Sequence, residues 1–100
     1  QQSYNSKQVP LTTIDSFVGK HNLHIGLIKM DIEGYELEAI KGARRTIVSQ
    51  KPVLVISVYH TGKDFFEIPR LIKKWRNDYT LRFLNHNHAH PFFERVLMAW

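Results

Sequence analysis

Two carboxylates one residue apart, Asp31 and Glu33, close an apolar run and open a helix-like pattern. An acid at the carboxyl end of a parallel strand faces the crevice where open α/β sheets bind ligands. There it can take a proton from a hydroxyl, or orient the molecule that carries it. Asp31 is the first candidate catalytic residue for either role and Glu33 the second. Lys29 stands two residues before Asp31, so on a strand the two side chains share a face and the ammonium could hold the carboxylate's charge. The structural alternative is a buried Lys29–Asp31 ion pair, with Glu33 merely starting a helix where acids are favoured. His60 ends the next apolar run and is the third catalytic candidate, with a polar strand terminator as its alternative. Tyr59 beside it reads first as core packing.

His86, His88 and His90 alternate with Asn87 and Ala89. On an extended segment the three imidazoles would face one side, an arrangement that can bind zinc or nickel. They fall in a polar loop, where adventitious metal is the expectation, and no metal site is assigned. Phe92, Phe93 and Trp100 read as core.

These groups need a scaffold, and 100 residues suit one domain. The apolar fraction of 43% and charged fraction of 23% are ordinary globular values, which excludes a disordered tail. No apolar run is long enough to span a bilayer, and no basic-then-apolar leader opens the sequence. The chain begins at Gln1 rather than Met, as expected of a trimmed or excised piece or of a processed chain. Cysteine is absent, so no disulfide or thiolate site can form. That fits a reducing compartment, and the expected location is the cytoplasm. The net charge of +5 reads as a solvated basic surface, because its lysines and arginines are spread over helices and loops. The one dense cluster, Ile72-Lys73-Lys74-Trp75-Arg76, lies near a helix end, where cations are favoured. Neither nucleic acid nor membrane is an expected partner.

Along the chain, residues 1–8 are polar and read as a linker or frayed end. Ser16-Phe17-Val18 opens a short helix that Thr13 or Asp15 could cap. Residues 25–32 form a buried strand ending in charge. A helix is expected from Glu33 or Tyr35 to Val48, with acids first and bases last, and with Gly42 inside it. Val53 to His60 is the clearest buried strand, introduced by Pro52. A second helix covers about 65–76; Asp64 and Glu67 resemble a capping box, but Pro69 suggests that regular helix begins only at Ile68. Residues 79–84 and 92–100 form two strands joined closely enough to pair antiparallel. The order strand, helix, strand, helix, strand, strand predicts a doubly wound α/β sheet of which half is missing.

The stretch Leu27-Ile28-Lys29-Met30-Asp31-Ile32-Glu33-Gly34-Tyr35-Glu36, followed by Ala39-Ile40-Lys41-Gly42-Ala43, closely resembles the FkbM methyltransferase family, with its I-K-x-D-x-E-G-x-E segment and K-G-A helix. Val9-Pro10-Leu11-Thr12-Thr13-Ile14-Asp15 looks like the family's V-P-x-x-T-L-D element. Lys51-Pro52-Val53-Leu54 with Tyr59-His60 is similar to its next strand. Tyr79-Thr80-Leu81-Arg82 through His86, and Glu94-Arg95-Val96-Leu97, resemble its final hairpin.

The resemblance covers residues 9 to about 98 and implies the C-terminal half of a class I, Rossmann-like methyltransferase fold: a mostly parallel sheet with a terminal antiparallel hairpin. In that fold the strand order is 3-2-1-4-5-7-6, and residues 9–100 would supply strands 4 to 7. Strands 1 to 3 would be absent, with the glycine-rich turn that holds the cofactor's amino-acid end and the acid that binds its ribose; no G-x-G-x-x-G occurs. The resemblance further implies S-adenosylmethionine as cofactor of a full-length parent. It implies O-methylation of a hydroxyl on a sugar, glycan or small metabolite, with Asp31 lining the cofactor's side of the crevice. Methyl transfer is a displacement and needs the acceptor held close and in line. A fragment is expected to be inactive alone. The competing expectation is a non-catalytic interaction module that pairs with a partner or a copy of itself through an exposed sheet edge.

Overall fold

The computed structural model describes residues 11–58, 64–85 and 95–100. Four strands form one sheet: β1 (Leu27–Met30), β2 (Val53–Val58), β3 (Leu81–Asn85) and β4 (Arg95–Ala99). Four helices accompany them: α1 (Ile14–His21), α2 (Glu36–Lys41), α3 (Arg44–Gln50) and α4 (Asp64–Trp75). Their spatial order is β1-β2-β4-β3. β1 and β2 are parallel, and β4 runs against both β2 and β3. Three strands therefore point one way and the last threads back between β2 and β3. This is the 4-5-7-6 segment of the order expected above.

Strand alternation divides the sheet into two unlike faces. Ile28, Met30, Leu54, Ile56, Val58, Leu97 and Ala99 lie on one face, all buried, and form one cluster with Leu37, Ile40, Ile47, Ile68 and Ile72 of the helices. Phe65 of α4 stacks on Phe83 of β3 at 4.7 Å. On the other face the register aligns Leu27 with Val53, Lys29 with Val55, and Val55 with Met98. Leu27 is 59% exposed and Trp100 45%. Trp100 thus lies outside the core expected for it: its backbone extends the ladder to Thr80, and its ring falls on the face that no described helix covers.

The helix expected over residues 33–48 is two helices, and Asp15 is the physical reason. In an uninterrupted α-helix the Thr46 N–H would donate to the Gly42 carbonyl. Here the Asp15 N–H donates to Gly42 O at 2.8 Å, and the Asp15 carboxylate accepts from the N–H groups of Arg45 and Thr46, both at 2.8 Å. The Thr46 hydroxyl donates to the same carboxylate at 2.8 Å. A side chain inserted into the hydrogen-bond ladder breaks a helix, and the same side chain caps the new one, whose own first residues supply no cap. Thr13 meanwhile caps α1 by accepting from Ser16 N. A Cβ on Gly42 would stand 3.1 Å from the Thr13 Cβ, so glycine is what lets α1 approach this joint.

α4 begins at Asp64, four residues before the expected start, with Pro69 inside it. The lost hydrogen bond and ring clash cost about 3 kcal/mol. Burial of Ile68, Leu71 and Ile72, at about 1.5–3 kcal/mol each, outweighs that cost. The basic cluster at its end has local acceptors. Lys73 donates to the carbonyls of Asn77 and Tyr79, and Arg76 to Val48 O and to the Asp78 carboxylate. The guanidinium beside Asp78 holds that carboxyl down at about 2. Tyr79 is buried and donates to the Pro52 carbonyl at 2.6 Å, tying the start of the hairpin to the start of β2.

Candidate functional site

β1 ends at Met30, where the parallel ladder with β2 stops at Ile56. The chain then turns through Asp31, Ile32, Glu33, Gly34 and Tyr35 into α2. Two consecutive residues in this turn have positive φ: Glu33 at 51° and Gly34 at 104°. For glutamate the left-handed region costs roughly 1–2 kcal/mol. Such strain persists only where the surroundings over-determine it, and it clusters at functional sites.

Glu36 is what over-determines it. Its side chain is 1% exposed, and each carboxylate oxygen takes one backbone N–H of the turn: Oε2 from Ile32 at 2.8 Å and Oε1 from Gly34 at 2.9 Å. Hydrogen bonds to an ionised acceptor are roughly twice as strong as neutral ones. A buried acid at the first residue of α2 therefore fixes the strained turn that carries Asp31 and Glu33. In the sequence Glu36 is only one of several acids at a helix start. The distinguishing signal is its place two residues after Gly34, where its side chain can curl back onto the turn.

Asp31 and Glu33 are both exposed on this turn at the carboxyl end of β1. Lys29 is exposed on the sheet face that no described helix covers, and among the described residues no ion pair joins it to Asp31. The buried pair weighed above is therefore not formed, and Lys29 does not hold the Asp31 charge. Tyr59, His60, His86, His88, His90, Phe92 and Phe93 lie outside the described residues. Among the described residues no group of three or more potential ligands could hold a metal. None of the described helices is long and apolar enough to cross a membrane.

An apolar groove of about 410 Å³ runs along the free side of β1, lined by α1 residues such as Phe17 and Val18 and by Leu23, Leu27 and Lys29. It stops two residues short of Asp31. The outer edge of β1 pairs with no described strand. The turn thus sits where an edge unpaired among the described residues meets the carboxyl end of the sheet, the end at which open α/β sheets bind ligands.

This architecture is a mixed α/β sheet with a strained turn at the carboxyl end of β1, an edge strand among the described residues. The family model described as the methyltransferase FkbM domain matches residues 1–91. The chain belongs to the FkbM methyltransferase family. The crystal structure of the methyltransferase FkbM from Methylobacillus flagellatus KT is similar over 87% of this chain, at 37% identity and a TM-score of 0.74. This chain spans 22% of that structure's length. No curated protein matches the chain.

Proposed function

We propose that this chain forms the carboxyl-terminal half of an S-adenosylmethionine-dependent O-methyltransferase domain and supplies the acceptor side of its active site. The observation that carries the reading is the strained turn at residues 31–35, pinned by buried Glu36 at the carboxyl end of a strand whose outer edge pairs with no described strand. In the assembled domain a neighbouring parallel strand pairs with β1, helices cover Leu27, Val55 and Trp100, and the cofactor lies beside the turn. The groups expected to hold the cofactor's amino-acid and ribose ends belong to that other half. When bound, S-adenosylmethionine supplies an electrophilic methyl group. Asp31 accepts the proton of the attacking hydroxyl or orients that hydroxyl, and Glu33, held at positive φ, presents a second carboxylate to the same opening. The acceptor is a hydroxyl of a sugar, a glycan or a small metabolite. The proposed location is the cytoplasm, where the cofactor is made available.

The test is titration calorimetry with S-adenosylmethionine on this chain and on a longer FkbM protein containing it. Binding by the longer protein and none by this chain is expected. No binding by either, with both folded, would overturn the reading. The β1 edge, unpaired among the described residues, favours a second reading, in which this half associates with a copy of itself or another protein. A concentration-dependent dimer that binds no cofactor in either form would select it.

A further inference from the structure

A cleft of about 500 Å³ opens where α2 ends, α3 begins and the first turn of α1 comes against both. Lys41, Arg44 and Arg45 bring three cations to it, and Ser49 brings a hydroxyl. Asp15 is the one acid among the described residues that line it. Its carboxylate is turned to the backbone, where it accepts from the N–H groups of Arg45 and Thr46 and from the Thr46 hydroxyl. The cations have little else to balance them. Lys41 meets only Glu38, at 3.6 Å with both side chains more than half exposed, a pair worth little in water. Arg44 lies over the Trp75 ring, 5.5 Å from its centroid, rather than against an acid. Among the described residues Arg45 forms no ion pair. Gathered like charges repel, and an anion in the cleft would relieve that repulsion.

The cleft is also pre-shaped. Asp15 fixes the backbone at Arg45 and Thr46, and Trp75 of α4 holds the Arg44 guanidinium by its ring face. A side chain placed in advance loses less entropy when it grips a ligand. We propose that this cleft binds a phosphate ester. A carboxylate bears one charge and two oxygens, and a single guanidinium fork uses both. A phosphate monoester bears a charge of about −1.5 to −2 at neutral pH and three acceptor oxygens. That serves the forks of Arg44 and Arg45 and the Lys41 ammonium together. The backbone N–H groups of Arg45 and Thr46 are taken by Asp15, so the side chains do the binding. The cleft begins at the end of α2 remote from the 31–35 turn, and it does not rest on the methyl-transfer reading.

The experiment follows amide and indole resonances of the isotope-labelled chain during titration with glycerol 3-phosphate, and separately with acetate, at constant ionic strength. Saturating shifts at Arg45, Ser49 and the Trp75 indole are expected with the phosphate, with acetate at least about tenfold weaker. Arg82, exposed on β3, should not respond. R45Q should weaken the phosphate by about three- to tenfold, the loss of one exposed charge-assisted contact, whereas R82Q, which removes the same net charge, should not. R45K keeps the charge without the fork and should fall between wild type and R45Q. Vesicles of phosphatidic acid in phosphatidylcholine identify the source of the ester. Broadening of the same resonances, absent with phosphatidylcholine alone, assigns a lipid headgroup; no broadening beside saturation by glycerol 3-phosphate assigns a soluble ester, and either supports the site. No saturable shift, an equal response to acetate, or an equal loss in R45Q and R82Q overturns it.

Discussion

Replacing Glu36 by glutamine removes one charge and substitutes an amide group for one oxygen, and the structure sets the consequence. Both carboxylate oxygens are occupied, by Ile32 N–H and Gly34 N–H, and the side chain is 1% exposed, so water cannot replace either bond. Glutamine keeps one acceptor, now neutral, and that bond loses about half its strength, roughly 1 kcal/mol. Its NH2 group faces the other backbone N–H, which is left unsatisfied at a cost of about 1–3 kcal/mol. The sum is about 2–4 kcal/mol, and it falls on the one turn whose φ values already carry strain. Opening of the turn should therefore become easier by about 30- to 700-fold at 1.4 kcal/mol per decade. Amide hydrogen exchange reads this directly: protection of Ile32 and Gly34 should collapse in Glu36→Gln, while that of Leu54 and Ile56 in β2 falls only as far as global stability does. Unchanged protection at Ile32 and Gly34 would refute the assignment of Glu36 as the clamp.

Two further outcomes follow from the same accounting. Asp15→Ala strips the cap from α3 and leaves the buried Thr46 hydroxyl without its acceptor, so urea unfolding should show a loss of about 2–4 kcal/mol. Thr46→Val should then be nearly neutral in that background, and a fully additive double mutant would contradict the contact. Tyr79→Phe removes the donor to Pro52 O and should cost about 1–3 kcal/mol near neutral pH. Burial pushes the Tyr79 phenol from 10.0 up to about 12, so its contribution is complete below pH 10 and is lost as pH rises towards 12. The gap between wild type and Tyr79→Phe should narrow across that window, and a constant gap would show that the phenol does not titrate there.

How far the sequence reveals this architecture depends on how local each cause is. The strands at 27–30 and 53–58 are legible because an apolar run between turn residues is a local signal. The same runs imply burial on both faces, yet the described residues cover one, because a parallel sheet is sealed by helices that a single run does not reveal. The break at Gly42 is not legible, since its cause, Asp15, lies 31 residues from Thr46 in sequence. Glycine inside a helical pattern was the one local hint. Pro69 misled in the other direction: its penalty is local and visible, whereas the compensating burial of Ile68 and Ile72 is tertiary. Asp31 and Glu33 are conspicuous because exposed acids at a strand end stand out. Glu36 is not, because its importance lies in which N–H groups it holds.

Cofactor binding should be felt most directly by the 31–35 turn. Hydrogen exchange on the longer FkbM protein, with and without saturating S-adenosylmethionine, compares the peptide covering Asp31 to Glu36 with one from α3. Slower exchange in the first and no change in the second is the predicted result. Demonstrated cofactor binding that leaves the Asp31–Glu36 peptide untouched would place the reaction elsewhere.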